Sequence, residues 1–231
     1  MNKNYIIVVD LETGSISKDC AVLSIGALVL HPRTLDPIKN GEVLEEFYSL
    51  SKPPNEDMVK IQEQALKVNK ITREEVEAAP SEEQVWKTFV NFVKKFTKGN
   101  TQWDYPVLAG YNIINFDKPI LDRLCTRYGN VNKEGRSNLF HMTDIYDAMN
   151  QFKWWFESNP DIKSYSLDNM RTYLGMPKDK DALVGEVIDA HHAVRDVRDT
   201  AAILKKFILL KRNLQENYNI KFKGAFDIKS E

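Results

Sequence analysis

The chain is 231 residues long and 42% hydrophobic, enough to bury the core of one larger domain and short of what two full domains need. Its 33 acidic and 32 basic residues give a formal net charge of -1, which excludes a broadly basic surface that wraps nucleic acid without specificity and leaves nucleic acid open as a substrate. No apolar run approaches the roughly 18 residues of a membrane span, no small-residue cleavage site follows the first apolar run, and Cys20 and Cys125 lie far apart without C-x-x-C spacing, so the reading is a soluble, non-secreted, cytoplasmic chain with reduced core thiols and no membrane partner.

In chain order, YIIVVD at 5–10 is a continuous apolar run that stops at charge, the pattern of a central strand buried on both faces. AVLSIGALVL at 21–30 and EVLEEFYSL at 42–50 also read as strands, separated by turn-rich residues, and three strands joined without helices predict an antiparallel meander. After Pro53 and Pro54 the pattern turns helical, with short pieces at 63–68 and 71–80. A longer helix starts at Ser81, where Gln84 three residues on completes a capping box, and Val85, Phe89, Val90, Val93 and Phe96 form its apolar stripe. YPVLAGYN at 105–112 returns to strand, and PILDRLCTRYG at 119–129 is a helix with Pro at its start and Gly at its end. NLFHMTDI at 138–145 reads as the last strand, and helices at 148–157, 166–174 and 193–214 complete the chain.

A meander followed by alternating helix and strand describes a mixed five-stranded sheet, three antiparallel strands and then two of parallel type, flanked by helices; the class is α/β. The domain is expected over 1–214, and the polar 215–231 as a docking tail or a frayed end. There are no repeats and no low-complexity tract.

Three places carry candidate chemistry. Asp10 and Glu12 close the first strand at i, i+2, so alternation points both carboxylates to one spot above the sheet edge. Such a pair is stable when ionised if a cation sits beside it, and is otherwise a solvated strand end. Asp117 lies between a strand and a helix, where an N-cap is the plain reading. His191 precedes Asp196 by five residues at the start of the last helix, and Asp196 falls close to the buried stripe of Ala193, Val197, Ala201 and Leu204, where a carboxylate needs a partner. That partner is a cation in a site or, in the plainer reading, Arg195, Arg198 or another basic group. His192, Asp122, Asp144, Asp147, Asp168 and Asp199 are the neighbouring decoys, with Asp199 read as a surface or supporting acid. The aromatic FKWWFE at 152–157 is partly core and partly a possible stacking platform for unpaired bases.

Taken together and in this order, D-x-E, N…F-D and H-x4-D over residues 6–204 resemble the motif set of the DnaQ-like 3′-5′ exonucleases of the DEDDh type, a family that includes proofreading epsilon subunits of bacterial replicative polymerases and several exoribonucleases. ALKVNKIT at 65–72 and SLDNMRTYLG at 166–175 also look like segments of that family. The resemblance implies a ribonuclease H-like fold and two divalent cations, Mg2+ or Mn2+, on the hard oxygens of Asp10, Glu12, Asp117 and Asp196. Asp10 would bridge the ions, Glu12 and Asp196 would complete the one on the nucleophile side, and Asp117 would hold the other. His191 would take the proton from the attacking water, a task suited to a group of reference pKa about 6.5. Leu11, Thr13 and Asn112 would contact the terminal nucleotide. The chain departs from the family pattern there: DLETGS has one threonine after the glutamate, Tyr111 stands where His is common, and one extra residue separates Asn112 from Phe116. The implied substrate is the 3′ end of a single strand, DNA ahead of RNA, in a proofreading or repair role with a DNA polymerase as the candidate partner. An exoribonuclease and a non-catalytic polymerase-binding or nucleic-acid-binding scaffold are the alternatives. An NTPase is not supported, because the chain has no G-x-x-x-x-G-K-S/T loop.

Overall fold

In the computed structural model, residues 4–188 and 191–217 are described. Strand β1 (Ile6–Thr13) is the centre of the fold, and its apolar first half is buried on both faces as a central strand must be. It pairs antiparallel with β2 (Val22–Leu30), in a register that sets Asp10 opposite Gly26 and Glu12 opposite Ser24. β2 pairs antiparallel with β5 (Glu46–Leu50), while β6 (Val107–Gly110) runs parallel to β1 and β7 (Ile145–Asp147) parallel to β6. The order β5-β2-β1-β6-β7 is the expected mixed five-stranded sheet, a meander followed by two parallel strands.

Two strand boundaries differ from expectation. Residues 42–50 are not one strand: Val43–Leu44 is a short strand, β4, paired with β3 (Lys39–Asn40) around Gly41, which takes φ +64°. The ladder breaks at Glu45, whose N–H turns to the Ile38 carbonyl, before β5 resumes. The last strand lies beyond 138–144 and comprises Ile145–Asp147. His141 diverts the preceding segment, because its Nδ1 accepts the N–H groups of Thr143 and Asp144 and bends the chain into a turn.

The helices cover both faces. Short helices α1 (Asn55–Met58), α2 (Glu63–Asn69) and α3 (Arg73–Ala78) follow the meander, and α2 and α3 add Leu66 and Val76 to a small cluster with Ala21 and Leu23. α4 (Glu82–Lys94) starts at the expected capping box of Ser81 and Gln84 and packs Trp86, Phe89 and Val93 with α5 (Asp117–Arg127) on the β1 face carrying Ile7, Val9 and Leu11. The opposite face, carrying Ile6 and Val8, is covered by α6 (Ala148–Trp155), α7 (Leu167–Tyr173) and α8 (Ala193–Asn217). Alternation along β1 therefore sends Asp10 and Glu12 toward α8. α8 reaches three residues past the expected domain end at 214, and the rest of the tail, 218–231, lies outside the described residues. Cys20 and Cys125 are free and buried. No helix among the described residues is long and apolar enough to cross a membrane.

Candidate active site

The end of β1 and the first turn of α8 meet over a close contact. A Cβ on Gly26 would lie 2.7 Å from Ala193 Cβ and 2.8 Å from the Ala193 carbonyl, so glycine is what lets α8 start directly on the sheet opposite Asp10. Asp196, one turn into α8, then joins Asp10 and Glu12, and one carboxylate oxygen from each lies within 4.8 Å of the others.

Asp117 is not among the three acids that converge there. It is the first residue of α5, with Phe116 at the cap position, so it is not the helix N-cap; its Oδ1 instead accepts the backbone N–H of Leu11 at 3.0 Å. The residue between Asp10 and Glu12 is thus tied to the remaining acid of the predicted set.

The electrostatics follow from placing these carboxylates together out of water. Burial, then the charges of Asp196, Glu12 and Asp117, raise the Asp10 carboxyl well above its ordinary value. Burial, with Asp196 and Asp117 adding to it, pushes Glu12 up to about 8. Burial pushes Asp117 up to about 7 against the opposing Leu11 N–H, and burial raises Asp196 against the opposing Arg171. Glu12 Oε1 is buried with no hydrogen-bond partner among the described residues. Asp10, Glu12 and Asp196, clustered and short of one partner, could hold a cation, and oxygen donors without sulfur suit hard ions of the Mg2+ or Mn2+ type.

His191 sits two residues before α8 in the left-handed region, φ +58°, and its Nε2 lies 3.2 Å from Asp168 Oδ2. The ring is partly exposed, at 41% of its side-chain area. Asp168 accepts Arg171 Nη1 through its other oxygen at 2.9 Å. Arg171 also bonds Asp196 at 2.5 Å and Asp199 at 2.6 Å. The cation beside Asp196 is therefore Arg171 from α7, and not Arg195 or Arg198. Arg195 donates to the Ile188, Pro177 and Lys178 carbonyls, and Arg198 holds Glu46, Asp181 and Glu186. Reading the chain missed Arg171; the available signal was the spacing of Asp196 and Asp199 at i, i+3 on one buried helix face, which calls for a cation from elsewhere.

The remaining predicted residues fall into place around this centre. Leu11 points into the core beneath α4 and α5. Thr13 is buried, and its hydroxyl donates to the Ser15 carbonyl at 2.8 Å. Asn112 adopts φ +55°, and its N–H donates to Asp147, which is also the N-cap of α6. Of the decoys, Asp122 pairs with Lys118, His192 packs at a tilt against Tyr48 with ring centroids 4.6 Å apart, and Asp199 is not a surface acid but 1% exposed. In the aromatic run, Phe152 is fully buried and Trp154 is 81% exposed.

Over residues 7–204 the chain matches a family model described as an exonuclease. No curated protein matches it. Among solved structures it is similar to zinc-bound Escherichia coli exonuclease I in complex with single-stranded DNA, with TM-score 0.67, 17% identity, and coverage of 93% of this chain and 42% of that chain. It is likewise similar to the same E. coli enzyme with a dT13 oligonucleotide, at TM-score 0.67, 17% identity, 94% of this chain and 43% of that one. A moderately thermophilic exonuclease I from Methylocaldum szegediense gives TM-score 0.63 and 17% identity over 94% of this chain and 45% of that one. The chain thus spans less than half the length of these structures. At this identity the likeness establishes the fold, and the strand order and directions agree with the expected ribonuclease H-like sheet.

Proposed function

We propose, from the premise that this chain belongs to the exonuclease family within the DnaQ-like superfamily, that it hydrolyses phosphodiesters stepwise from the 3′ end of single-stranded DNA, releasing nucleoside 5′-monophosphates. The observation that carries the reading is the convergence of Asp10, Glu12 and Asp196 within 4.8 Å, with Glu12 Oε1 lacking a protein partner. Carboxylates so placed repel one another, and a fold keeps such a cluster most simply when cations complete it. Asp10, Glu12, Asp117 and Asp196 would hold two divalent cations, Mg2+ or Mn2+. Bound there, the cations would activate the attacking water and neutralise charge on the leaving oxygen.

The chain's own groups supply the rest. Asp117, through the Leu11 N–H, holds the strand backbone between Asp10 and Glu12 in register. His191 is the proton acceptor: with Nε2–H donating to Asp168, Nδ1 is the nitrogen that receives the proton of the attacking water. Leu11 and Thr13 are turned inward, so contact with the terminal nucleotide falls to their backbone and to the Asn112 turn. DNA is favoured because the similar exonuclease I structures hold DNA oligonucleotides. Proofreading or repair, with a polymerase as partner, is the setting that the family resemblance supports.

The test uses two 5′-labelled single strands of one sequence, DNA and RNA, incubated with Mg2+, with Mn2+ and with EDTA and resolved at single-nucleotide resolution. The expected result is a ladder shortening from the 3′ end, faster for DNA, absent in EDTA and absent for Asp196→Asn. A faster RNA ladder would make the chain an exoribonuclease. No shortening with either metal would leave the scaffold reading in its place.

A further inference from the structure

Arg171 is 6% exposed and meets three carboxylates with three different nitrogens: Nε on Asp199 at 2.6 Å, Nη2 on Asp196 at 2.5 Å and Nη1 on Asp168 at 2.9 Å. A planar guanidinium that uses each nitrogen on a separate acid fixes those acids relative to one another, which a point charge does not. Two of the three partners do not need it. Asp199 has a second arginine, Arg195, at 3.4 Å and the Ala182 N–H at 2.7 Å, and Asp168 is half exposed to water. Asp196 is the partner whose arrangement depends on Arg171, because the neighbouring arginines of α8 turn away to carbonyls and to Glu46, Asp181 and Glu186.

We infer that Arg171 is a positioning residue for the exonuclease site: it holds one oxygen of Asp196, leaving the other for a cation, and through Asp168 it ties His191 to the same frame. The inference rests on the proposed reading of Asp196 as a cation ligand and His191 as base. Those two residues are five apart in the chain, yet their physical link runs through α7, along His191, Asp168, Arg171 and Asp196. The layer behind the site pairs Arg171 and Arg195 with Asp168 and Asp199, and Arg171 offsets part of the charge of Asp10, Glu12 and Asp196.

The two arms of the guanidinium separate experimentally. Mn2+ binding is measured by titration calorimetry on the substrate-free protein, alongside kcat and KM on the labelled DNA strand, for wild type, Arg171→Met, Arg171→Lys and Asp168→Asn. Arg171→Met should weaken Mn2+ by about 10–100-fold and lower kcat, as loss of a residue that orients a metal ligand does. Arg171→Lys should fall between it and wild type, since it keeps the charge and loses the fork. Asp168→Asn should lower kcat while leaving Mn2+ affinity at the wild-type value, because asparagine keeps an oxygen for Arg171 Nη1 and loses the charge that faces His191. If Arg171→Met does not fold, Arg171→Met with Asp199→Ala, which removes the buried charge together with a buried partner, carries the same expectation. A folded Arg171 variant with wild-type Mn2+ affinity overturns the inference and leaves the acids as a cation site. Asp168→Asn weakening Mn2+ as much as Arg171→Met overturns the separate routes. A wild-type protein that binds no Mn2+ overturns the site reading itself.

Discussion

Asp117 gives one carboxyl oxygen to the backbone of β1, accepting the Leu11 N–H at 3.0 Å, and in the proposed reading its charge also serves the cation site. The two roles separate by substitution. Asp117→Asn keeps an oxygen for Leu11 and removes the charge, so thermal stability should stay near wild type while hydrolysis of the labelled strand falls by about 100-fold or more, the size of effect expected when several kcal/mol of ion-mediated stabilisation are lost. Asp117→Ala orphans a buried N–H as well and should lose a further 1–3 kcal/mol or so in urea unfolding. If the two variants matched in both measurements, the hydrogen bond would carry no weight. At this scale the acids were legible: i, i+2 alternation announces Asp10 and Glu12, and the position of Asp196 beside an apolar stripe announces a buried charge in need of a partner. Arg171 was not legible, because 25 residues separate it from Asp196 and only the packing of α7 on α8 brings them together. The plain alternative for Asp117, an N-cap, fails for a similar reason: the bond that defines it crosses from α5 to β1, a contact no local pattern contains.

For the elements, the junction of β2 with α8 decides the site's geometry. The Cβ that Gly26→Ala introduces would sit 2.7–2.8 Å from Ala193 backbone and side-chain atoms, and backbone cannot swing aside as a flexible side chain does. The start of α8 must shift, carrying Asp196 away from Asp10. Gly26→Ala should therefore cost about 1–3 kcal/mol of stability and weaken Mn2+ binding together, whereas Ser81→Ala, which removes a cap remote from the acids, should cost about 1 kcal/mol and leave Mn2+ affinity intact. Denaturant midpoints and calorimetry on both variants check the contrast; Mn2+ affinity unchanged in Gly26→Ala would mean α8 does not depend on that contact. The capping box at Ser81 and Gln84 could be read from the chain because it is a local exchange of hydrogen bonds. The last strand could not be placed, because NLFHMTDI has strand composition and His141 folds it by side-chain bonds to its own backbone. The split at Glu45 likewise depends on Ile38 across the ribbon.

Over the whole molecule, the succession of apolar runs was enough to announce a mixed five-stranded sheet, but not its strand order or how much charge the fold confines at the end of β1. That confinement sets a pH dependence of stability. Glu12 is pushed from an ordinary 4.5 to about 8 and Asp117 from 3.8 to about 7, so between roughly pH 4 and 8 the folded protein holds protons that the unfolded chain has released. Stability without metal then falls as pH rises through that window. Carboxyls with lowered values, Asp57 and Asp181 among them, act in the opposite sense and below it, and the Cys125 thiol, pushed by burial to about 11, titrates above it. In EDTA the melting temperature should decline from pH 5 to pH 8. Mn2+ at about 100 times its Kd should add about 2.7 kcal/mol at pH 8, a rise of about 5–10 °C for a domain of this size, and much less at pH 5, where protons compete for the same oxygens. Asp196→Asn should flatten both responses, since it relieves the repulsion and removes a ligand at once. A melting temperature independent of pH in EDTA and untouched by Mn2+ at pH 8 would mean that the acids are neutralised within the fold, by Arg171 and its neighbours, and that the cluster is a structural ion network without a place for cations.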